Sequence, residues 1–255
     1  MEPVIKTKDL TIQFGGQVAV DHVNCEIPEK HFKSIIGPNG AGKTTFFNLI
    51  SGELKATKGD VFLRGESIAK LSSMERARRG IGRSFQITNV FPNLTVLENV
   101  RLAVQSRKGI LYQMFRYSRS YKNLLEESEQ ILQQVLLHDK KDAIASQLSH
   151  GEKRKLEIAM LIALDSDILL LDEPTAGMSL EEVPVILEVI RNIKKTGEKT
   201  ILLIEHKMDL ILDLSDSIMV LFNGQLIADG TPEEIMNNEL VENAYLGGLY
   251  DDDIA

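Results

Sequence analysis

Short apolar segments alternate along the chain with segments whose apolar residues recur at helical spacing. Ile168–Leu171, Thr200–Ile204 and Ile218–Phe222 are continuous apolar runs, and the strand-like run Phe32–Ile36 leads into a glycine-rich loop. Continuous runs of this kind are typical of strands buried on both faces of a sheet. Glu181 to Lys195 has the spacing of an amphipathic helix. The pattern predicts an α/β protein with a mostly parallel sheet flanked by helices.

The middle of the chain differs, because from Glu98 to about Leu137 the pattern is helical and contains no run typical of a buried strand. We expect residues 86–166 to form a mainly helical subdomain inserted into one α/β domain, whose core comprises residues 1–85 and 167–255. Two local signals follow the last apolar run. Asn223-Gly224 predicts a hairpin, since both residues tolerate positive φ. Thr231-Pro232 with Glu234 predicts a helix start.

Composition narrows the class of protein. Of 255 residues, 43% are hydrophobic and 26% charged, which is the balance of an ordinary soluble protein. No segment approaches the roughly 20 apolar residues that span a bilayer, and the N-terminal residues lack the apolar core of a signal peptide. We therefore expect a cytoplasmic protein. Cys25 is the single cysteine, and the formal charge of −8 argues against a general nucleic-acid binder.

A phosphate-binding loop follows the first strand-like run. The pattern G-x-x-x-x-G-K-[ST] is matched at every fixed position, in the required context of a preceding strand and a following helix. The residues expected to bind nucleotide here are Gly37, Pro38, Asn39, Gly40, Ala41, Gly42, Lys43, Thr44 and Thr45. Backbone N–H groups and the helix N-terminus bind phosphate oxygens, Lys43 adds charge, and the Thr44 hydroxyl is a ligand for Mg²⁺. The loop predicts ATP as cofactor.

Two acids end the run Ile168–Leu171. The carboxyl end of a parallel strand is where α/β sheets bind ligands. With a phosphate loop in the same chain, Asp172 is expected to hold Mg²⁺ and Glu173 to polarise the attacking water.

Leu148-Ser149-His150-Gly151-Glu152 precedes a helical pattern from about Lys153 to Leu164. Ser149 and Glu152 can form a capping box, which is a sufficient structural reason for both residues. The same capped helix N-terminus can also bind the γ-phosphate of a nucleotide held by another subunit.

The order and spacing of these motifs resemble the ATP-binding-cassette (ABC) ATPases over nearly the whole chain. The resemblance implies a P-loop core with an antiparallel N-terminal β part and an inserted helical subdomain. It implies that Gln86 contacts Mg²⁺ and the attacking water, and that His206 contacts the γ-phosphate. Ser149 and Gly151, with Glu152 beside them, would face the ATP of a second ATPase subunit. Phe14 would stack on adenine.

The chain departs from the common pattern of the family at three positions. His150 stands in place of the usual second glycine, Glu152 in place of glutamine, and Ser179 in place of an aspartate after the acid pair. These departures concern the contact between two subunits rather than ATP binding.

Further segments are similar to the ATPase subunits of bacterial branched-chain amino-acid importers, a group that includes urea and amide importers. They are Phe14–Gly16, Gly80–Gln86, Phe91–Val100, Ile204–Asp209 and Ala244–Gly248. The similarity implies transmembrane permease subunits, a periplasmic solute-binding protein, and a position on the cytoplasmic face of the membrane.

Two alternatives remain open from the sequence. The basic and aromatic segment from Arg101 to Lys122 is compatible with a soluble cassette ATPase that acts on nucleic acid or ribosomes. The net charge, the single cassette and the lack of a coiled-coil insertion oppose that function, and no nucleic acid is expected. An exporter ATPase is the other alternative.

Overall fold

The computed structural model describes residues 2–83, 90–109 and 117–244, and of residues 117–120 only the backbone. The strands are β1 (Ile5–Phe14), β2 (Gln17–Ile27), β3 (Phe32–Ile36), β4 (Lys58–Leu63), β5 (Glu66–Ser67), β6 (Ile81–Arg83), β7 (Ile168–Asp172), β8 (Thr200–Ile204), β9 (Ser217–Phe222) and β10 (Gln225–Gly230). The helices are α1 (Lys43–Ser51), α2 (Ser73–Arg78), α3 (Val96–Arg107), α4 (Tyr117–Gln134), α5 (His150–Ala163), α6 (Val183–Lys195), α7 (Met208–Leu214) and α8 (Pro232–Met236).

The strands form two sheets. Six strands in the order β10-β9-β3-β8-β7-β6 make the central sheet, in which all neighbours are parallel except β10 and β9. The order β2-β1-β4-β5 makes a second, antiparallel sheet at the N-terminal end. The predicted α/β fold with an antiparallel N-terminal part is confirmed.

Both faces of the central sheet are covered. On β7, Ile168 and Leu170 pack in one cluster with Phe46 and Phe47 of α1 and with the second sheet. Leu169 and Leu171 alternate with them and pack against residues of α3, α4, α5 and α6. This burial on both sides explains why the first four residues of β7 are all apolar.

The two local signals near the end of the chain are also confirmed. Asn223 and Gly224 both have positive φ and join β9 to β10 as a hairpin. Thr231 caps α8, and Glu234 completes the capping box.

The structure differs from the expectation at α5, which begins at His150 rather than Lys153, because Ser149 is its N-cap. The helical pattern from Glu98 to Leu137 is divided between α3 and α4, both of which lie between β6 and β7 in the chain. The division of the chain into core and subdomain at residues 86 and 166 stays a prediction. None of the described helices combines the length and apolarity that crossing a bilayer requires.

The topology places three loops side by side. Since β3, β8 and β7 are adjacent and parallel, their carboxyl ends meet at the same edge of the sheet. Gly37, Glu205 and Glu173 are the first residues after these strands.

Candidate active site

The phosphate loop runs from the end of β3 to the start of α1, and two of its glycines are required by close approaches. Gly37 has φ of 151°, and a Cβ there would lie 2.1 Å from the Leu221 carbonyl oxygen. Gly42 is the N-cap of α1 with φ of 97°, and a Cβ there would lie 2.3 Å from the Ala19 carbonyl oxygen. A side chain at either position would push the loop away from its neighbours.

The loop borders a cavity of about 400 Å³. The cavity is lined by Gln17, Val18, Ala19, Asn39, Gly40, Ala41, Gly42, Lys43, Thr44, Thr45, Glu173 and Asn223. The structure thus brings together seven of the nine predicted loop residues and one of the two predicted acids.

Lys43 is the first residue of α1, and its side chain is buried. Its Nζ donates to the carbonyl oxygens of Gly37, at 2.7 Å, and Pro38, at 2.9 Å. Burial lowers the pKa of Lys43, whereas the negative charges of Glu173 and Asp172 oppose this shift. The loop therefore holds an ammonium group beside backbone carbonyls, and a phosphate can compete with those carbonyls for it.

The two adjacent acids have different surroundings. Asp172 is fully buried and its Oδ2 accepts from Arg83 Nη2 at 3.1 Å. Burial raises the pKa of Asp172, and the Arg83 cation acts against this effect. Glu173 has φ of +45° and its backbone N–H donates to the Ile204 carbonyl at 2.9 Å. This turn directs the Glu173 side chain toward the cavity, while Asp172 stays in the interior.

His206 and Glu173, which are far apart in sequence, meet beside the cavity. Nε2 of His206 lies 2.9 Å from Oε1 of Glu173. The neutral tautomer that carries its proton on Nε2 can donate to the carboxylate. Such a contact orients Glu173, which lines the cavity, whereas His206 is not among the described residues that line it.

The oxygen donors at this site suit a hard cation. Thr44 offers a hydroxyl and Asp172 a carboxylate, which are ligand types of Mg²⁺, and the Asp172 charge acts on Lys43. Among the described residues, no cluster of three or more His, Cys, Asp or Glu side chains could hold a metal ion by itself. The donor set fits a Mg²⁺ that takes its remaining ligands from phosphate and water.

The comparisons with known proteins agree with this geometry. The sequence profile of the family described as ABC transporter matches residues 20–176, and that of the branched-chain amino acid ATP-binding cassette transporter matches residues 225–251. The chain belongs to the ABC transporter family. It is an ABC ATPase: its P-loop binds nucleotide, and the family to which it belongs hydrolyses ATP.

Several relatives resemble the chain over almost its whole length. The high-affinity branched-chain amino acid transport ATP-binding proteins LivG of Escherichia coli and BraF of Pseudomonas aeruginosa are each 38% identical, over 96% of this chain and 98% of their own. The ADP conformation of MJ1267, an ATP-binding cassette of an ABC transporter, has 28% identity and a TM-score of 0.81, over 97% of this chain and all of its own. A dimeric post-hydrolysis state of the cassette MJ0796, bound to ADP and Pi, has 26% identity and a TM-score of 0.75, over 89% of this chain and 98% of its own.

The predicted signature residues of this ABC ATPase lie at the N-terminus of α5. Ser149 Oγ accepts from the Glu152 backbone N–H at 3.2 Å, and Glu152 Oε2 accepts from the Ser149 N–H at 2.9 Å, so the predicted capping box is confirmed. Ser149, Gly151 and Glu152 are not among the described residues that line the phosphate cavity. One chain does not bring them to its own phosphate loop.

A residue that the sequence analysis missed lies against this helix terminus. Glu182 Oε1 accepts from Ser149 Oγ at 3.1 Å and from the Gly151 N–H at 3.4 Å. Its other oxygen accepts from the Ser179 N–H at 3.3 Å. The Ser179 N–H and the Ser149 hydroxyl lower the pKa of Glu182, which keeps the carboxylate ionised. The S-x-x-E spacing is a sequence signal for the local contact of Ser179 with Glu182, but it does not indicate the contacts with Ser149 and Gly151.

All three departures from the family pattern make contacts in this region, Glu152 through its capping box with Ser149. His150 Nε2 lies 3.2 Å from the Ala176 carbonyl, and Ser179 takes part in the Glu182 contact just described. The segment after Glu173 is thus tied to α5 within one chain.

The remaining predicted residues are placed as follows. Phe14 is half exposed, with 50% of its surface accessible, and so is not a core residue. It pairs across the β1–β2 hairpin with Gln17, which lines the cavity. Gln86, like the Tyr245–Gly248 part of the importer-like segments, lies outside the described residues.

Arg83, which contacts Asp172, is a second residue of the site that the sequence did not indicate.

Proposed function

We propose that this chain is the ATP-hydrolysing subunit of an importer for branched-chain amino acids or related small solutes. The observation that supports the catalytic role is that Glu173 lines the cavity beside Lys43 and the phosphate loop, and that His206 contacts Glu173 at 2.9 Å. The substrate class is supported by LivG and BraF, which are 38% identical to this chain and are named as branched-chain amino acid transport proteins.

Within one subunit, the loop N–H groups and Lys43 bind the phosphates, and Phe14 stacks on the adenine. Thr44, Asp172 and Gln86 are the residues that would hold Mg²⁺, which when bound neutralises charge on the phosphate oxygens. Glu173 takes a proton from the attacking water, and His206 holds Glu173 and the γ-phosphate in register. General-base catalysis of this kind contributes about 10²–10⁴-fold to the rate.

A complete site requires a second ATPase subunit, identical or related. Ser149 and Gly151 offer a hydroxyl and an N–H at a helix N-terminus, but in this chain they lie apart from its own phosphate cavity. The dimeric structure of the MJ0796 cassette supports the association of two ATPase subunits. We propose that Ser149 and Gly151 of one subunit, with Glu152 bracing the helix end, bind the ATP held by Lys43 of the other.

The permease subunits would dock in a groove of about 1080 Å³ between the sheet edge and the helices. Its walls include Met74 and Arg78 of α2, Arg83 of β6, and Leu102 and Arg107 of α3. Gln86 follows the end of β6 by three residues in the sequence, and we propose that a partner in this groove acts on the nucleotide site through it. In this proposal the chain lies on the cytoplasmic face of the membrane, and a periplasmic solute-binding protein acts on the other side.

The nucleic-acid alternative is weakened by the charges of the Arg101 to Lys122 segment. Arg101 Nη2 lies 2.6 Å from Glu98, Arg107 and Lys108 both pair with Glu127, and Lys122 lies 3.7 Å from Glu126. Residues 110–116, which include Arg116, and the side chains of residues 117–120, which include Arg119, lie outside the described part of the segment. Cations already paired with acids are poor partners for phosphates.

Mixing two inactive variants tests the composite site. Lys43→Ala removes the phosphate cation, and Ser149→Arg blocks the facing helix end, so each variant alone should be inactive. A mixed dimer has one site with both defects and one with neither, and mixing should therefore restore part of the ATPase activity. Differential tagging and pull-down verify that mixed dimers form. No rescue at any ratio, with mixed dimers present, contradicts the composite site; if the natural partner is a different ATPase, one mutation is placed in each.

Coexpression with candidate permease subunits tests the transport assignment. We expect the chain to bind membranes only when the permeases are present, and vesicles carrying the complete complex to accumulate leucine, isoleucine or valine at the expense of ATP. ATPase activity that responds to RNA or ribosomes but not to the permeases would favour the soluble alternative instead.

A further inference from the structure

Glu205 is a buried carboxylate between the loops that follow β7 and β8. Only 4% of its surface is exposed. Its Oε1 accepts from the Thr175 backbone N–H at 3.0 Å and from Thr175 Oγ1 at 2.6 Å. Its Oε2 accepts from the His206 backbone N–H at 3.1 Å. Glu205 is not among the described residues that line the phosphate cavity.

The donors belong to the two loops that carry the proposed catalytic pair. Thr175 lies two residues after Glu173, and His206 is the immediate neighbour of Glu205. The same loops are also joined by the hydrogen bond from the Glu173 N–H to the Ile204 carbonyl. Glu205 therefore accepts hydrogen bonds from both of the loops that bring Glu173 and His206 to within 2.9 Å of each other.

The side chain at position 205 must accept hydrogen bonds from both loops, that of Thr175 and that of His206. Two of the three donors are backbone N–H groups, whose positions are set by the strands they follow. An ionised carboxylate accepts on both oxygens and presents no donor of its own. An apolar residue would leave both N–H groups without this acceptor, which is costly in a buried place.

We propose that Glu205 is a positioning residue for ATP hydrolysis, which acts through His206. It anchors the His206 backbone to the Thr175 loop, and so holds the imidazole against Glu173. The inference rests on the proposed roles of His206 and Glu173. It adds a residue that is not among the described residues lining the phosphate cavity.

Glu205→Gln is the central variant. The amide oxygen can still accept from Thr175, but the NH₂ group then faces the His206 N–H, so the backbone of His206 must move. Leaving one buried donor unsatisfied corresponds to about 10- to 100-fold in rate. We expect kcat to fall by that factor while KM for ATP and the nucleotide Kd change less than about twofold. The Nε2 signal of His206 in a ¹⁵N-histidine spectrum, assigned with His206→Ala, should shift.

Asp229→Asn is the matched control. Asp229 accepts from the buried Lys33 Nζ at 2.6 and 2.7 Å and contacts none of the proposed site residues. Loss of this carboxylate should lower Tm without changing kcat or the His206 signal. Thr175→Ser, which keeps the hydroxyl, should retain near wild-type kcat.

The double variant Glu205→Gln/His206→Ala decides the matter in single-turnover assays with labelled ATP. If Glu205 acts through His206, the double variant is as slow as His206→Ala alone, because the losses do not multiply. Multiplied losses, or wild-type kcat in folded Glu205→Gln beside an impaired His206→Ala, overturn the inference and leave the proposed function intact. Wild-type kcat in His206→Ala overturns the role of His206 and the inference with it. If Glu205→Gln does not fold, Thr175→Val replaces it, with a smaller loss expected and the same comparison.

Discussion

Glu173 has a left-handed backbone conformation that is uncommon for residues other than glycine. Its N–H donates to Ile204, and its carbonyl accepts from Arg154 Nη2 at 3.3 Å, so contacts on both sides maintain the turn. Non-glycine residues in this region cost about 1–3 kcal/mol and persist where the surroundings enforce them. The turn separates two adjacent acids, so that Asp172 faces the buried Arg83 and Glu173 faces His206.

Glu173→Gln should nearly abolish turnover and keep ATP binding, because an amide preserves the shape of the side chain but is a very poor base. The expected loss in kcat is about 10²–10⁴-fold, with ATP-bound dimers accumulating in size exclusion. Glu181→Gln, a change at an exposed acid in the loop before α6, is the control and should be unaffected. Turnover at the wild-type rate in Glu173→Gln would remove Glu173 from the mechanism.

At the scale of elements, the proposed dimer gives the N-terminus of α5 a new partner. In one chain its Ser149 hydroxyl and Gly151 N–H donate to Glu182. In the proposed dimer the same two donors meet a phosphate. The carboxylate and the phosphate carry the same sign of charge, so both cannot occupy the helix end together.

Glu182→Ala should therefore make dimerisation easier. Removal of two hydrogen bonds to the competing carboxylate corresponds to roughly a 3- to 10-fold change in an equilibrium constant. We expect dimers to form at an ATP concentration lower by that factor, measured by light scattering in the Glu173→Gln background. Glu181→Ala should leave this concentration unchanged. A higher requirement for ATP in Glu182→Ala would mean that Glu182 supports the dimer.

Across the whole molecule, the parts of the site that could be predicted from the sequence differ from the parts that could not. The phosphate loop, the acid pair and the capped α5 were predicted because their residues are contiguous, and each pattern has a local physical cause. The contacts of Arg83 with Asp172 and of Thr175 with Glu205 join residues 89 and 30 positions apart. Their existence depends on the order of strands in the sheet, which the hydrophobic pattern does not specify. The start of α5 was placed three residues late because its first turn is polar.

The position of β3 in the sheet affects the order in which parts of the protein can fold while the ribosome synthesises the chain. This strand carries the phosphate loop, yet it pairs with β8 and β9, and Lys30 already bonds to Thr200, 170 positions later. At about 5–20 residues per second, the ribosome needs on the order of ten seconds to synthesise that interval. During this time the phosphate loop has emerged but its strand has neither neighbour. Until β8 and β9 are made, the central sheet cannot form around β3, so the N-terminal hairpin of β1 and β2 and the local helices are the elements that can form first.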